Sequence, residues 1–200
     1  MRITKGTRKL IDILSVLPGI GPRQAIRLTF HLIRQGHGFQ KELEDAIANL
    51  KTAKICSQCF YIHENPGKLC DICSDTKRDQ STIAIVEKET DLISIENTGK
   101  YRGRYLVIGE LGRGGVLGAD QRLKLKSLKA WIGKEYGGSV REIIIALNPN
   151  IQSDFVASQI GNEFKGSAEK ITRLGIGIPS GGEIEFADDD TLGGALRGRG

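Results

Sequence analysis

Apolar residues in the first fifty positions recur every three or four residues, which is the period of an amphipathic α-helix. This stripe predicts a first helix over residues 8–17. The run LPGIGP, residues 17–22, then ends the helix, because proline and glycine interrupt it and Pro22 suits the first turn of a new one. Further stripes predict helices over residues 22–34 and 40–53. The chain therefore begins with helix, glycine hairpin and helix.

After residue 80 the apolar residues come in short uninterrupted runs, the pattern of strands buried on both faces of a sheet. These runs are residues 83–86, 105–108 and 143–147. Amphipathic stretches follow them and predict helices over residues 89–96, 120–132 and 154–164. Such alternation predicts an α/β domain with a central, mainly parallel sheet.

The last 25 residues carry a weaker pattern. Residues 176–178 and 183–186 are predicted as short strands, since apolar and polar positions alternate there. The acidic residues 188–190 are predicted to cap and begin a helix that runs through Leu196, because acids complement the free N–H groups of a helix N-terminus.

The four cysteines form two Cys-x-x-Cys pairs, Cys56/Cys59 and Cys70/Cys73. A gap of two residues lets both sulfurs of a tight turn reach one ion, and four thiolates satisfy a tetrahedral Zn²⁺. We therefore predict one structural zinc ion. A redox motif needs only one such pair and disulfide frameworks are typical of secreted chains, so both alternatives are less favoured. His63 is expected on the loop surface.

Charge is distributed unevenly along the chain. Residues 1–54 hold ten Lys/Arg against four Asp/Glu, whereas the remainder is nearly neutral. A localised basic segment is expected of a surface that binds phosphate, although solvated helix faces explain the charge alone equally well. The N-terminus has no secretory-signal pattern and no apolar run approaches the ~20 residues that span a bilayer. A cytoplasmic, nucleoid-associated protein is expected.

The glycine hairpin resembles the helix-hairpin-helix DNA-binding motif, whose Gly-Ile-Gly turn presents backbone N–H groups to a phosphate. Contacts to phosphate do not distinguish one DNA sequence from another. A plain helical hairpin is the alternative, which the neighbouring charge disfavours. The predicted DNA-binding residues are Lys5, Arg8, Lys9, Gly19, Ile20, Gly21, Arg23 and Arg27.

Polar residues follow two of the predicted strands, Glu87 after the first and an Asn-Pro-Asn turn after the third. This arrangement resembles the Toprim domain, whose metal site combines a glutamate with an Asp-x-Asp run at those places. Here neutral Asn148, Asn150 and Gln152 stand where that run has acids. Because Mg²⁺ chemistry on phosphates needs clustered anionic oxygens, we predict a Toprim fold without catalysis.

In this order the modules resemble the RecR family of bacterial recombination mediators over essentially the whole chain. The matching stretches are LPGIGPRQAIRLTFHLI, CSQC, CDIC, IVEKETDLISIENTGKYRGRYLVIG and GIPSGGEIEFADDDTLGGAL. The resemblance implies a non-enzymatic DNA-repair protein that forms a dimer or a ring-like tetramer around DNA. Such a protein would act with RecO and RecF to load RecA on single strands coated by SSB.

The family's Toprim acids are associated with binding RecO, which implies a partner surface here at Glu87, Asn148, Gln152 and Asp154. This chain departs from the family at Gln152, where a Glu-Gly-Glu-Ala-Thr run is usual. It also departs in the glycine-rich loop of residues 109–118, which is expected to be a surface loop with Arg113 as a candidate contact to DNA or a partner.

These features divide the chain into a helix-hairpin-helix domain, a four-cysteine zinc finger, a Toprim domain and a C-terminal assembly segment, with the expected bounds 1–54, 55–80, 81–175 and 176–200. Two other functions remain open. One is a metal-dependent Toprim nuclease or primase-like enzyme, which would cleave or copy nucleic acid at Glu87. The other is a zinc-stabilised protein that binds RNA or the ribosome.

Overall fold

The structure is a computed structural model that describes residues 3–112 and 114–199. The chain forms two compact units, residues 1–53 and residues 54–200. None of the helices in the described part of the chain is long and apolar enough to cross a membrane.

The first unit consists of three helices, α1 (Lys5–Ser15), α2 (Pro22–Arg34) and α3 (Gly36–Asn49), and a 3-10 turn over Leu50–Thr52. This confirms the predicted helical hairpin. Helix α1 begins three residues earlier than predicted, because Thr4 caps it by accepting a hydrogen bond from the Thr7 N–H. The buried side chains are few, namely Ile11, Ala25 and Thr29.

The second unit opens with a two-stranded antiparallel ribbon, β1 (Lys54–Ile55) and β2 (Ile62–His63), followed by the short helix α4 (Asp71–Ser74). An α/β domain follows, with elements β3 (Thr82–Val86), α5 (Glu89–Asn97), β4 (Arg104–Val107), α6 (Ala119–Glu135), β5 (Val140–Ala146), α7 (Ile151–Glu163), β6 (Ala168–Arg173) and α8 (Asp189–Arg197). Its sheet has the order β4-β3-β5-β6 and all its pairings are parallel, which confirms the predicted fold class.

Both faces of this sheet are covered, as the uninterrupted apolar runs predict. Alternate residues of each strand point to opposite faces. On one face, Ile83 and Ile85 of β3 pack with apolar residues of α6 and α7. On the other face, Ala84 and Val86 pack with Leu92 of α5. The strand order reverses between β3 and β5, so the carboxyl ends of these two strands flank the crevice where open α/β sheets place their sites.

Two predicted strands near the C-terminus are wrong. Residues 176–178 have no regular structure, and Ile184–Phe186 is a 3-10 turn whose Ile184 and Phe186 are exposed by 70% and 79%. An isolated strand leaves its backbone groups without a ladder, and the sheet edge is taken instead by β6, which the sequence did not predict. Its residues are half-buried or exposed, and β6 pairs with β5 along one edge only.

Helix α8 confirms the role predicted for the acidic residues. Asp188 is its N-cap: its carboxylate accepts hydrogen bonds from the backbone N–H and the hydroxyl of Thr191, at 2.9 and 2.8 Å. Those hydrogen bonds lower the pKa of Asp188.

Candidate metal centre and nucleic-acid interface

Two tight turns bring the four cysteine sulfurs together. In the first, the Phe60 N–H donates to the Cys56 carbonyl at 3.0 Å, and the Cys56 N–H donates to the Tyr61 carbonyl at 2.8 Å. Phe60 closes this turn with a left-handed φ of 63°. The second turn runs into α4, where the Ser74 N–H donates to the Cys70 carbonyl at 2.9 Å. All four cysteines are buried and none is in a disulfide.

The distances between the sulfurs fit a single tetrahedral ion. All four Sγ atoms lie within 4.8 Å of one another, and those of Cys59 and Cys70 are 3.5 Å apart. Around Zn²⁺ with bonds of about 2.3 Å, tetrahedral geometry separates the sulfurs by about 3.8 Å. Within the described residues this is the one group of three or more His, Cys, Asp or Glu side chains that could hold a metal ion.

The electrostatics of the cluster also favour a cation. Hydrogen bonding from Cys59 lowers the pKa of Cys56, while the same interaction raises the pKa of Cys59. One thiolate is therefore stabilised only because its neighbours keep their protons. Four thiolates at these distances repel one another, and a divalent ion removes that repulsion. We conclude that the four cysteines can hold a metal ion.

The position expected for His63 is wrong. Its side chain lies on β2, which pairs with β1, and it is the buried residue of that ribbon, whereas the neighbouring Ile62 is exposed. The Asn65 N–H donates to His63 Nδ1 at 3.2 Å, and no partner of Nε2 is found among the described residues. His63 does not belong to the cysteine cluster.

The first cysteine turn is bonded directly to the edge of the large sheet. The Val107 N–H of β4 donates to the Cys59 carbonyl at 2.8 Å, and Arg104 Nη1 donates to Gln58 Oε1 at 2.8 Å. Phe60 packs against the core on the α6 side of the sheet. The cysteine module and the α/β domain thus share one packed structure, a contact that no residue pattern in the sequence indicated.

The glycine hairpin in the first unit is a turn of defined geometry. The Ile20 N–H donates to the Leu17 carbonyl at 3.1 Å, and Gly19 between them has a φ of 79°. Proline followed by a left-handed glycine is the signature of a type II turn. Gly21 then forms the N-cap of α2 and no side chain caps that helix. Since the first N–H groups of a helix have no partner within it, this end favours an anion.

The space in front of the hairpin is open. A Cβ atom placed on Gly19 or Gly21 would meet no other atom within 4 Å. The five basic side chains predicted to bind DNA are exposed, and none forms a salt bridge within the described part of the chain: Lys5, Arg8, Lys9, Arg23 and Arg27. Ile20 is half-buried.

At the carboxyl ends of β3 and β5, the predicted residues do not form a cluster of free acids. Glu87 is only 8% exposed, and its carboxylate accepts a hydrogen bond from the Leu111 N–H at 3.1 Å. Asp154 is exposed and pairs with Arg173 at 2.5 Å. Asn148 and Gln152 are exposed as well.

Two further contacts explain this arrangement. Asn150 is the N-cap of α7, accepting from the Ser153 N–H at 2.8 Å, so the helix begins at Ile151 rather than at the predicted residue 154. The glycine-rich loop lies over the same edge: a Cβ on Gly115 would come within 2.8 Å of the Gln152 carbonyl oxygen. The backbone of this loop therefore contacts both sides of the crevice. Arg113 lies outside the described residues.

Comparison with known proteins covers most of the chain. A family model described as RecR, helix-hairpin-helix matches residues 7–51, a Toprim model matches residues 81–175, and a model described as RecR, C-terminal matches residues 177–199. A protein of Paenarthrobacter aurescens named Recombination protein RecR is 38% identical over 194 residues, which cover 96% of this chain and 94% of that protein. The chain belongs to the RecR family of recombination proteins.

Other RecR proteins agree with this assignment. The Recombination protein RecR of Frankia casuarinae is 39% identical over 95% of this chain and 94% of its own length. That of Roseiflexus castenholzii is 38% identical over 96% of this chain and 91% of its own length. The four cysteines lie between the regions matched by the helix-hairpin-helix and Toprim models, so the metal centre rests on the geometry described above.

Sequence reasoning missed Arg104 and Gln58, which join the cysteine module to the sheet. The only available signal was that Gln58 lies between two metal-ligating cysteines, and nothing marked Arg104 at the start of a buried strand as special. Sequence reasoning also missed the Leu111 N–H, since a backbone donor has no residue signature.

Proposed function

We propose that this member of the RecR family is a non-enzymatic recombination mediator that binds DNA through the phosphate backbone. The observation that supports it most strongly is the glycine hairpin. An uncapped helix N-terminus, open space over Gly21 and unpaired basic side chains nearby are the features that bind phosphate without reading bases. Cytoplasm, with the nucleoid as the site of action, is the location that fits such a role.

The metal ion that we propose for the four cysteines is Zn²⁺ in a structural role. Four thiolates complete its tetrahedral coordination and leave no position for a substrate. Because the module is bonded to β4, bound zinc would stabilise the edge of the sheet as well as the two cysteine turns. When bound, the ion supplies cross-linking of the chain and no chemistry on DNA.

The crevice between β3 and β5 is proposed as a protein-binding surface rather than a catalytic site. Buried Glu87 already has a backbone partner, and Asp154 is paired with Arg173. The exposed side chains of Asn148 and Gln152, next to the exposed Asp154–Arg173 pair, are available to a partner. From the resemblance to the family, we propose RecO as that partner.

A clamp-like oligomer is the form in which we propose the protein acts. As in the family it resembles, this would be a dimer or a ring-like tetramer that works with RecO and RecF to load RecA on single strands coated by SSB. Light scattering with and without DNA tests the assembly.

Replacement of the hairpin glycine tests the proposed DNA contact. Gly21 has a φ of −78° and open space around it, so Gly21→Ala should fold, with a stability loss of about 1 kcal/mol or less from the poorer N-cap. The added methyl group would stand where a phosphate must approach. We expect DNA affinity to fall about tenfold or more in fluorescence anisotropy, equally for unrelated sequences.

Two control variants make this result specific. Gly38→Ala, in α3 of the same unit, adds the same methyl group in open space and should bind DNA as the unmodified protein does. Lys126→Gln removes an exposed charge elsewhere and should also have little effect, whereas Arg23→Gln should lower the salt dependence of binding by about one counterion. Unchanged affinity in both Gly21→Ala and Arg23→Gln would rule out the hairpin as the DNA contact.

A further inference from the structure

Arg104 is a buried cation for which the described residues supply no anion. Its side chain lies at the start of β4 and the residue is 7% exposed. No carboxylate in the described part of the chain lies within salt-bridge distance of it. Its contacts are neutral: Nη1 donates to Gln58 Oε1, the guanidinium lies 5.4 Å from the Trp131 ring centre, and no described residue accepts a hydrogen bond from Nε.

Such a charge is costly unless something balances it. Arginine keeps its proton in proteins, so it cannot become neutral as a buried lysine or carboxylic acid does. A hydrogen bond to an amide and a contact with an indole ring stabilise the guanidinium but leave its charge uncompensated. Water in the adjacent cavity could satisfy Nε, and it too would carry no charge.

The contrast with Arg78 in the same unit shows the usual solution. The Arg78 side chain is 9% exposed, and its Nη1 and Nη2 donate to the two carboxylate oxygens of Glu96, at 2.9 and 2.5 Å. This is the bidentate pair expected of a buried arginine. Arg104 has no such carboxylate pair among the described residues.

The candidate that the structure offers is the cysteine cluster. A cavity of about 70 Å³ is lined by Arg104 together with Cys73, Ser57 and Gln58, so Arg104 and a cysteine of the cluster border the same small space. Gln58, which accepts from Arg104, lies in sequence between Cys56 and Cys59. A divalent ion bound by four thiolates carries an excess of two negative charges.

We propose that Arg104 is the counter-cation of the zinc–thiolate centre: its buried charge offsets the excess negative charge of the four cysteines and increases their affinity for the ion. This rests on the proposed zinc occupancy. Arg104 would act on the ion through its charge and not as a metal ligand. Because Arg104 lies at the start of β4, bound zinc would also stabilise the beginning of that strand.

The zinc affinities of Arg104 variants distinguish the effect of the side chain's charge from the effect of its shape. We would titrate Zn²⁺ against a chromophoric chelator in the unmodified protein and in Arg104→Gln, Arg104→Met and Arg104→Lys, and repeat it with Co²⁺, whose absorption reports the thiolate ligands. Loss of a residue that supports metal ligands typically weakens affinity about 10- to 100-fold, which is the loss expected for the Gln and Met variants. A buried lysine keeps its proton where an anion lies nearby, so if the cluster supplies that anion, Arg104→Lys should lose less zinc affinity than either neutral variant.

Arg78→Met is the matched control. It removes a second largely shielded arginine from the same unit, but one whose charge is already paired with Glu96. It should lower the melting temperature and leave the zinc affinity unchanged. Equal zinc affinities in the unmodified protein and both neutral Arg104 variants, or a loss as large in Arg104→Lys as in Arg104→Met, would overturn the proposal while leaving the zinc centre intact.

Two other outcomes are also decisive. The first is that both neutral variants fail to fold at saturating Zn²⁺ while Arg104→Lys and Arg78→Met fold. The melting temperature of Arg104→Lys, measured with and without chelator, then tests the charge balance. Zinc-dependent stabilisation that survives in Arg104→Lys at its full size supports the charge balance, and stabilisation that disappears overturns it. An unmodified protein that binds no zinc would overturn the proposed metal centre itself, and this inference with it.

Discussion

Three charged side chains of the α/β unit that are largely shielded from solvent are compensated in three different ways. Arg78 is paired with a carboxylate, Glu87 accepts a backbone hydrogen bond from the glycine-rich loop, and Arg104 has only neutral partners. Sequence alone identified Glu87, because an acid directly after a buried strand stands out. The two arginines were not identified, since their roles depend on residues 18 and 46 positions away along the chain.

Glu96→Gln tests the paired arginine. Burial raises the pKa of Glu96, but hydrogen bonds from Arg78 and Tyr105 outweigh it and the pKa is lowered below its ordinary value of 4.5. A carboxylate with a lowered pKa stabilises the fold above that ordinary value, and the stabilisation is lost as pH falls through the folded-state pKa. At pH 7 the variant should therefore lose about 2 kcal/mol in the free energy of unfolding.

Urea denaturation of both proteins at several pH values measures this. The difference between variant and unmodified protein should be constant above about pH 5 and shrink below it, since protonation then removes the charge from the unmodified protein too. Protonation of the cysteines is common to both and cancels. A difference that stays constant down to pH 3 would show that Glu96 acts through shape rather than charge.

Helices and strands were predicted correctly where their apolar periodicity or their capping residues lie within the element itself. The three N-terminal helices, strands β3, β4 and β5, and the acidic cap of α8 were predicted, because periodicity and capping depend on neighbouring residues. Strand β6 was not, since an edge strand needs few apolar residues and is defined by its pairing with β5. In the short stretches around Ile176 and Ile184, apolar and polar residues alternate as they do in strands, but neither stretch pairs with a strand of the sheet.

Asn150→Ala tests the cap that begins α7. The Asn150 side chain accepts from the Ser153 N–H, and loss of an N-cap costs about 1 kcal/mol. Asn148, two residues earlier, is exposed and makes no side-chain hydrogen bond among the described residues, so Asn148→Ala should change the free energy of unfolding by less than about 0.5 kcal/mol. Chemical denaturation measures both. Equal effects would mean that Asn150 does not cap the helix.

The order of modules along the chain was predictable because each carries a local motif, and family models match the helix-hairpin-helix, Toprim and C-terminal regions but not the cysteine module. What could not be predicted is how the cysteine module joins the sheet. That junction depends on a backbone bond from Val107, on Arg104 and on Gln58, none of which belongs to a motif. The glycine-rich loop was likewise taken for a free surface, whereas its backbone contacts Glu87 and Gln152.

The central claim is that this chain binds DNA without cutting it. The most direct measurement incubates the purified protein with labelled DNA of two unrelated sequences in Mg²⁺ or Mn²⁺, reads the anisotropy across a salt series and then resolves the DNA by length. We predict equal binding of both sequences, affinity that falls steeply with salt, and DNA of unchanged length. DNA shortened by the protein but not by its Glu87→Ala variant, or no binding even at low salt, would contradict the account.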